Sequence, residues 1–335
     1  MLRRLATRIL WAIFTIWAVV SLSFVINNAL PEDPARAIAG PQARPADVAR
    51  IREQLGLDQP LSTQYVRFMG RLVHVHAEPV AKGDQQHASC EAVGPLHFDL
   101  GMSYQKRKPV IALIQERLPR TLLLALAATL VQVLIGVVAG VVAAWRRNSA
   151  IDYGTVSMTL LGISAPTFLI GIGLQYLLAY RLRLLPLDGF GRTWPEHLAC
   201  VVLPALTLGI FGAAYYTRLV RDEMIGLLKQ DYVRTARAKG AGEGRVVIGH
   251  ALRNALMPLV TVIGLDFGAL VGGAIVTEKL FRWPGLGQLS IDAVFDRDGP
   301  VIMGTVIVAS TAIVVANILV DLSYALLDPR VRGKA

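Results

Sequence analysis

Few residues in this chain have the type and spacing to do chemistry, and they fall into three groups. Asp266 stands inside an otherwise apolar run, GLDFGALVGGA. A charged group at the centre of a bilayer costs about 2.5–3.5 kcal/mol, so such an acid faces a cavity or a partner. It would serve either as a site for a cationic group or as a structural hydrogen-bonding group toward a neighbouring helix. His74, His76, His87, Cys90 and His97 crowd into one segment, where imidazole and thiolate are ligands for zinc, nickel or copper. Their spacing matches no closed metal motif, and solvated loop histidines are the alternative. The third group is basic: Arg234, Arg237 and Lys239 in DYVRTARAKGAGEGRVVIGHALRNALMP, residues 231–258. It has no nucleophile beside a base, so its chemistry is that of a contact surface. The chain has no H-E-x-x-H, no G-x-S-x-G, no carboxylate pair within an apolar run and no G-x-x-x-x-G-K-[ST]. Nothing here marks an enzyme, and a nucleotide would have to be bound elsewhere.

The elements that must position these groups are long and greasy. Of 335 residues 54% are hydrophobic and 17% charged, against about 45–50% and roughly 25% in soluble domains. The excess is clustered in apolar runs at 9–30, 121–145, 153–180, 198–217, 255–280 and 300–327. Each is long enough for a helix across about 30 Å of hydrocarbon. The first run exceeds the h-region of a signal peptide and lacks an A-x-A-type site after it, so it reads as a retained span. The chain is therefore an all-α integral membrane protein with six transmembrane helices.

Orientation follows from lysine and arginine. Arg3, Arg4 and Arg8, then Arg146 and Arg147, then eight basic residues from Arg218 to Arg253, then Arg330, Arg332 and Lys334 fall on one side; the short loops 181–197 and 279–299 carry three each. The positive-inside rule places both termini in the cytoplasm, and it absorbs the net charge of +10 without nucleic acid. Segment 31–118 is then an extended first external loop with short amphipathic helices. In PADVARIREQLGL, Pro45 suits a first helical position and Gly56 a stop, while 74–97 reads as irregular loop. Pro119 stands just before the second span. Cys90 and Cys200, both toward the outer side, leave pairing open. Pro166 and Pro204 sit within or near the ends of spans three and four. Gly264, Gly268, Gly272 and Gly273 thin one side of span five, for close helix packing, for lining a pathway, or for both. Glu278 reads as an interfacial, solvated acid, and Trp11, Trp194 and Trp283 as interfacial anchors.

The basic segment lies in the largest cytoplasmic loop. Asp231 suits an N-cap, the alanines favour helix and Gly240 stops it. A helix this short needs a surface to rest on. The stretch Arg234-Thr235-Ala236-Arg237-Ala238-Lys239-Gly240, followed by HALRNALMP (250–258), resembles the EAA loop of permease subunits of ABC importers, in the form used by the dipeptide/oligopeptide/nickel branch. Arg234 and Thr235 replace the glutamate and first alanine of the general motif. LPEDPARAIAG (30–40), LGLDQPL (55–61), DLGMSY (99–104), LPRTLLLAL (118–126), SAPTFLIGI (164–172), TEKLFRWPGLG (277–287) and LVDLSYALLDPRVR (319–332) resemble that branch in the same order. The stretch 74–97 fits less well and looks like an insertion.

The resemblance implies a transmembrane helix at 1–30, the external region at 31–118 and a five-helix permease core at 119–335 with a coupling loop at 221–253. It implies a second homologous permease, two cytoplasmic ATPase subunits holding ATP and Mg, and an extracytoplasmic binding protein, all at the cell membrane. Residues 234–240 would form the coupling contact, with Ala236 and Gly240 as contact and turn residues. Asp266, Gly268 and Pro166 are candidates for the substrate pathway. The branch more often has glutamine at Asp266, whereas Asp321 belongs to its pattern and reads as structural. Its members carry dipeptides, longer peptides, glutathione, opines or nickel complexes. A gradient-driven secondary transporter would want paired intramembrane ionisable groups and repeated halves, for which Asp266 alone is thin support.

Overall fold

The computed structural model describes residues 2–29, 34–40, 42–75, 90–93 and 96–327. His76 and His87 lie outside the described residues, as do the side chains of Cys90 and Asp321, so the readings that rest on them stop here. The chain divides into two compact units, one of residues 1–119 with 285–314, the other of 120–284 with 315–335.

The first unit holds α1 (Leu2–Ala29), α2 (Pro34–Ala39), α3 (Pro45–Leu55) and α4 (Leu61–Leu72). Pro45 opens α3, and Gly56, at φ +65°, closes it: the N–H groups of Gly56 and Leu57 return to the carbonyls of Glu53 and Arg52. A small antiparallel sheet follows, of β1 (Val73–Val75), β2 (Cys90–Val93) and β3 (Leu96–Asp99) in the order β1-β3-β2. The irregular loop expected over 74–97 is thus strand at both ends. Val73, Val75, Val93 and Phe98 supply β-branched and aromatic positions, and His74 stands opposite His97 in the register. Beyond the sheet the buried Asp298 carboxylate accepts from the Ser103 hydroxyl and the backbone N–H groups of Tyr104 and Gln105, pinning that turn to the start of the helix that opens at Gly299. Val110, Leu113 and Ile114 of α5 (Val110–Trp145) pack with Leu286, Leu289 and Ala293 of α12 (Leu286–Phe295) and Val301 of α13 (Gly299–Leu327). Helix α5 begins at Val110 and runs through Pro119, so that proline is internal and does not mark a boundary as the sequence suggested.

The second unit is built on α8 (Trp194–Leu227), with α6 (Ala150–Ser164), α7 (Thr167–Leu174, continuing as a π-helical turn over Gln175–Arg181) and α10 (Arg253–Val271) packed on it. α10 follows a π-helical stretch, Arg245–Leu252. Helix α5 meets α8 through glycine. A Cβ on Gly136 would lie 2.4 Å from that of Tyr216, and one on Gly140 would lie 2.8 Å from the carbonyl oxygen of Thr217. Gly209 faces Val131 in the same way. Backbones that approach this closely gain van der Waals contact where lipid offers no hydrophobic drive. Gly264 of α10 likewise faces Val320 of α13, as the glycine pattern of the fifth run suggested.

Among the described residues five helices are long and apolar enough to cross a membrane: Ala6–Asn28, Val110–Trp145, Trp194–Leu227, Arg245–Val271 and Gly299–Val320. The third run is the bent pair Ala150–Ser164 and Thr167–Arg181, at 104°. Pro166 causes the break by pushing Ala165 into extended backbone, φ −80° and ψ 129°. The fifth apolar run is also divided: α10 ends at Val271, Gly273 adopts φ +111°, and α11 (Ile275–Leu280) starts afresh.

Candidate coupling helix and pathway residues

The polar segment between α8 and α10 forms a helix, α9 (Asp231–Ala238). Gln230, with extended backbone, is its N-cap, and Asp231 is the first helical residue, not the cap that its type suggested. The position still suits an acid, whose charge opposes the positive end of the helix dipole. The Gly240 N–H bonds the Arg237 carbonyl at 2.9 Å and the Ala241 N–H that of Ala236 at 3.1 Å, with Gly240 at φ +79°. This is a Schellman closure, which needs a left-handed residue at that point.

One residue absent from the sequence reading anchors the helix. Val233 is fully buried where α9 rests on the stretch Arg245–Leu252, whose Val246 and Val247 are buried too. Asn254 donates to the Tyr232 hydroxyl at 3.1 Å from the start of α10. An apolar residue alone in a polar octapeptide, with a Val-Val pair downstream, was the available signal. With Val233 turned inward, Arg234, Thr235, Ala238, Lys239 and Gly240 are exposed and Ala236 is half-buried. Arg237 is exposed but engaged: its Nε and Nη2 reach the two carboxylate oxygens of Glu243 at 2.8 and 3.2 Å. That fork holds the Glu243 carboxyl below the ordinary glutamate range and raises the Arg237 guanidinium further.

The pathway candidates are placed differently from one another. Asp266 is half-buried and accepts a 2.8 Å hydrogen bond from the Tyr216 hydroxyl of α8. Gly268 is buried, and its carbonyl receives the Gly272 N–H. Pro166 is exposed at the α6–α7 break. Glu278 is not the solvated acid expected: it is fully buried in α11, and Thr121 of α5 donates to it at 3.1 Å. Trp283 is also fully buried, its indole N–H bonding the Arg120 carbonyl, whereas Trp11 and Trp194 are exposed as anchors would be. His74 and His97 have ring centroids 5.5 Å apart. Among the described residues no group of three His, Cys, Asp or Glu side chains is arranged to hold a metal ion.

Where the start of α6 meets α8 lies a clamp that the sequence did not disclose. Asp152 is buried and takes Arg221 Nε at 2.6 Å, Arg221 Nη2 at 2.9 Å and the Asn148 N–H at 2.9 Å.

Residues 136–333 match the family described as binding-protein-dependent transport system inner membrane component, and residues 1–125 match the N-terminal region of such components. A Brucella abortus (strain 2308) protein whose name assigns it to peptide transport as a permease is 39% identical over 97% of both chains. The glutathione transport system permease protein GsiC of Salmonella paratyphi A is 40% identical over the whole of both. Among solved structures, an inward-facing conformation of the MetNI methionine ABC transporter superposes with a TM-score of 0.54, covering 66% of this chain and 98% of that one. At 21% identity that likeness concerns the fold.

Proposed function

The chain belongs to the binding-protein-dependent transport system inner membrane components, and from that membership we propose that it forms, with a second permease, the translocation pathway for short peptides in an ATP-driven importer. It is a permease subunit of the inner membrane. ATP and Mg belong to two separate cytoplasmic ATPase subunits, and an extracytoplasmic binding protein delivers the cargo. Short peptides are the cargo because the relatives named for peptide and for glutathione transport match over essentially their full length. Glutathione is itself a small peptide.

The observation that carries the coupling role is the build of α9. Its one buried apolar residue fastens it to the base of α10, and its other face is left outward with Arg234, Ala238 and Lys239. An isolated helix of eight residues would not hold in water. Fastened in this way, it passes a push from an ATPase surface straight into α10. Small side chains at Ala236 and Ala238 allow close approach, and the two cations favour an acidic rim on the partner.

Purification of the tagged chain in mild detergent, with mass spectrometry and ATPase assay, tests this. A second permease and ATPase subunits should co-purify, and Gly240→Pro should abolish cargo-stimulated ATP hydrolysis. A chain that purifies alone, under conditions that keep other complexes whole, would overturn the proposal.

A further inference from the structure

Asp266 sits about three turns beyond Ala255, where the fifth apolar run begins, so it lies about 16 Å into a hydrocarbon layer of about 30 Å. It shares a stripe of α10 and the preceding turn with Ala251, Ala255 and Leu259. Those three are sealed against α8, with at most 1% exposure, whereas Asp266 is half-buried. The carboxylate is therefore not sealed into the α8–α10 seam as those three are. What holds the carboxylate is rigid. Tyr216 is fully buried, Gly136 of α5 closes on its Cβ, and its hydroxyl donates to Oδ2. Among the described residues no lysine or arginine forms an ion pair with Asp266, and Tyr216 is the donor recorded to it.

One turn back along α8 is Gly212. The amide of Gln132 from α5 occupies the space a side chain there would fill; a Cβ on Gly212 would lie 2.7 Å from its Nε2. Gln132 is only 4% exposed, yet its carbonyl oxygen has no hydrogen-bond partner among the described residues, nor has the buried Thr129 hydroxyl one turn away on α5. A buried amide oxygen without a donor is costly. A half-buried carboxylate in mid-membrane without a counter-charge is costlier. Both lack the same thing, a group rich in N–H donors carrying positive charge.

We infer that Asp266, positioned by Tyr216 and with the Gln132 amide of α5 packed against Gly212 one turn earlier on α8, is the recognition point in the pathway for the ammonium group of the cargo. This deepens the permease reading and rests on it. An ammonium offers three donors and no acceptor, matching a site made of acceptors. The free amino terminus of a short peptide supplies one.

The test has two arms. In a chain carrying Cys90→Ser and Cys200→Ser, Ala269→Cys places a thiol one turn beyond Asp266 on an exposed position of α10. It is reacted with aminoethyl and with sulfonatoethyl methanethiosulfonate, and both rates are normalised to a free thiol. The cationic reagent should be favoured about tenfold, and Asp266→Asn should erase the preference. In proteoliposomes holding the whole complex with its binding protein, Asp266→Asn should lower dipeptide imported per ATP hydrolysed about tenfold. Asp266→Glu should restore most of it, and Tyr216→Phe should fall between. An unreactive Ala269→Cys, a preference unchanged by Asp266→Asn, or wild-type import by that variant would overturn the inference. A wild-type complex that hydrolyses ATP but imports no peptide would instead overturn the peptide reading, and the thiol rates would still decide the role of Asp266.

Discussion

Val233 and Glu243 carry the argument at the scale of single residues. Val233 is the one buried side chain of α9, so Val233→Ala removes two buried methyl groups and should cost about 1–2 kcal/mol of local stability. ATPase co-purification should fall severalfold with total expression unchanged. Glu243 makes a prediction about pH. Its folded pKa lies below the ordinary 4.5 because Arg237 bonds both its oxygens. The pair is thus fully present above that value and is lost only as pH falls below it. Cargo-stimulated ATPase activity should show no pH-dependence traceable to this pair between pH 6 and 8. Glu243→Gln should lower coupling equally at both ends of that range, so a defect confined to one end would exclude the pair as its cause.

Elements follow a different logic, since in these spans glycine decides which helices meet. Gly140→Leu drives a side chain into the Thr217 carbonyl and Val220, with no flexible neighbour to yield. The α5–α8 seam should open, and the variant should unfold in detergent at least 10 °C below wild type or fail to accumulate. Gly226→Ala, with open space around it, should be neutral or slightly stabilising. Gly264 was legible as a packing position from its four-residue spacing to Gly268, and Gly136 and Gly140 carry the same spacing, but the partner each of these glycines meets, on α13 or on α8, is a tertiary fact. The apolar runs were legible because hydrocarbon thickness fixes their length. Their breaks were only partly so: Pro166 and Gly273 end helices, while Pro119, Pro204 and Pro258 are carried inside them. Whether a proline breaks a span depends on what satisfies the freed carbonyl, which is a tertiary fact. The same holds for Asp152 and Arg221, residues far apart in the chain that form a buried fork only because α6 folds back on α8. Arg221 is partly exposed and keeps Asp222 at 3.0 Å, so Asp152→Asn should cost about 1–3 kcal/mol in the same detergent melts, and Asp152→Asn with Arg221→Met should recover part of it.

The whole molecule is oriented by a sum that no single residue controls. Four segments on one side carry clustered arginines and lysines, the short loops opposite carry three each, and the long region 31–118 is exempt through its length. Both termini and α9 should therefore lie in the cytoplasm. A green fluorescent protein fused after Ala335 should fluoresce, and alkaline phosphatase fused there should be inactive. Phosphatase inserted near Gly189, in the loop between the third and fourth runs, should be active. With the N-terminus in the cytoplasm, the inserted position is reached only if α6 and α7, bent by 104°, together cross the membrane once. If the pair instead enters and leaves on the same side, five crossings remain and the termini lie on opposite sides: with C-terminal fluorescence kept, the phosphatase at Gly189 stays active. The N-terminus would then face outward, and a fluorescent fusion before Met1 would be dark. The two fusions together thus distinguish a broken span from a re-entrant hairpin. They also bear on coupling: α9 follows α8 directly, so an ATPase can push on Arg234 and Lys239 only if α8 ends in the cytoplasm, as a single crossing by the bent pair requires.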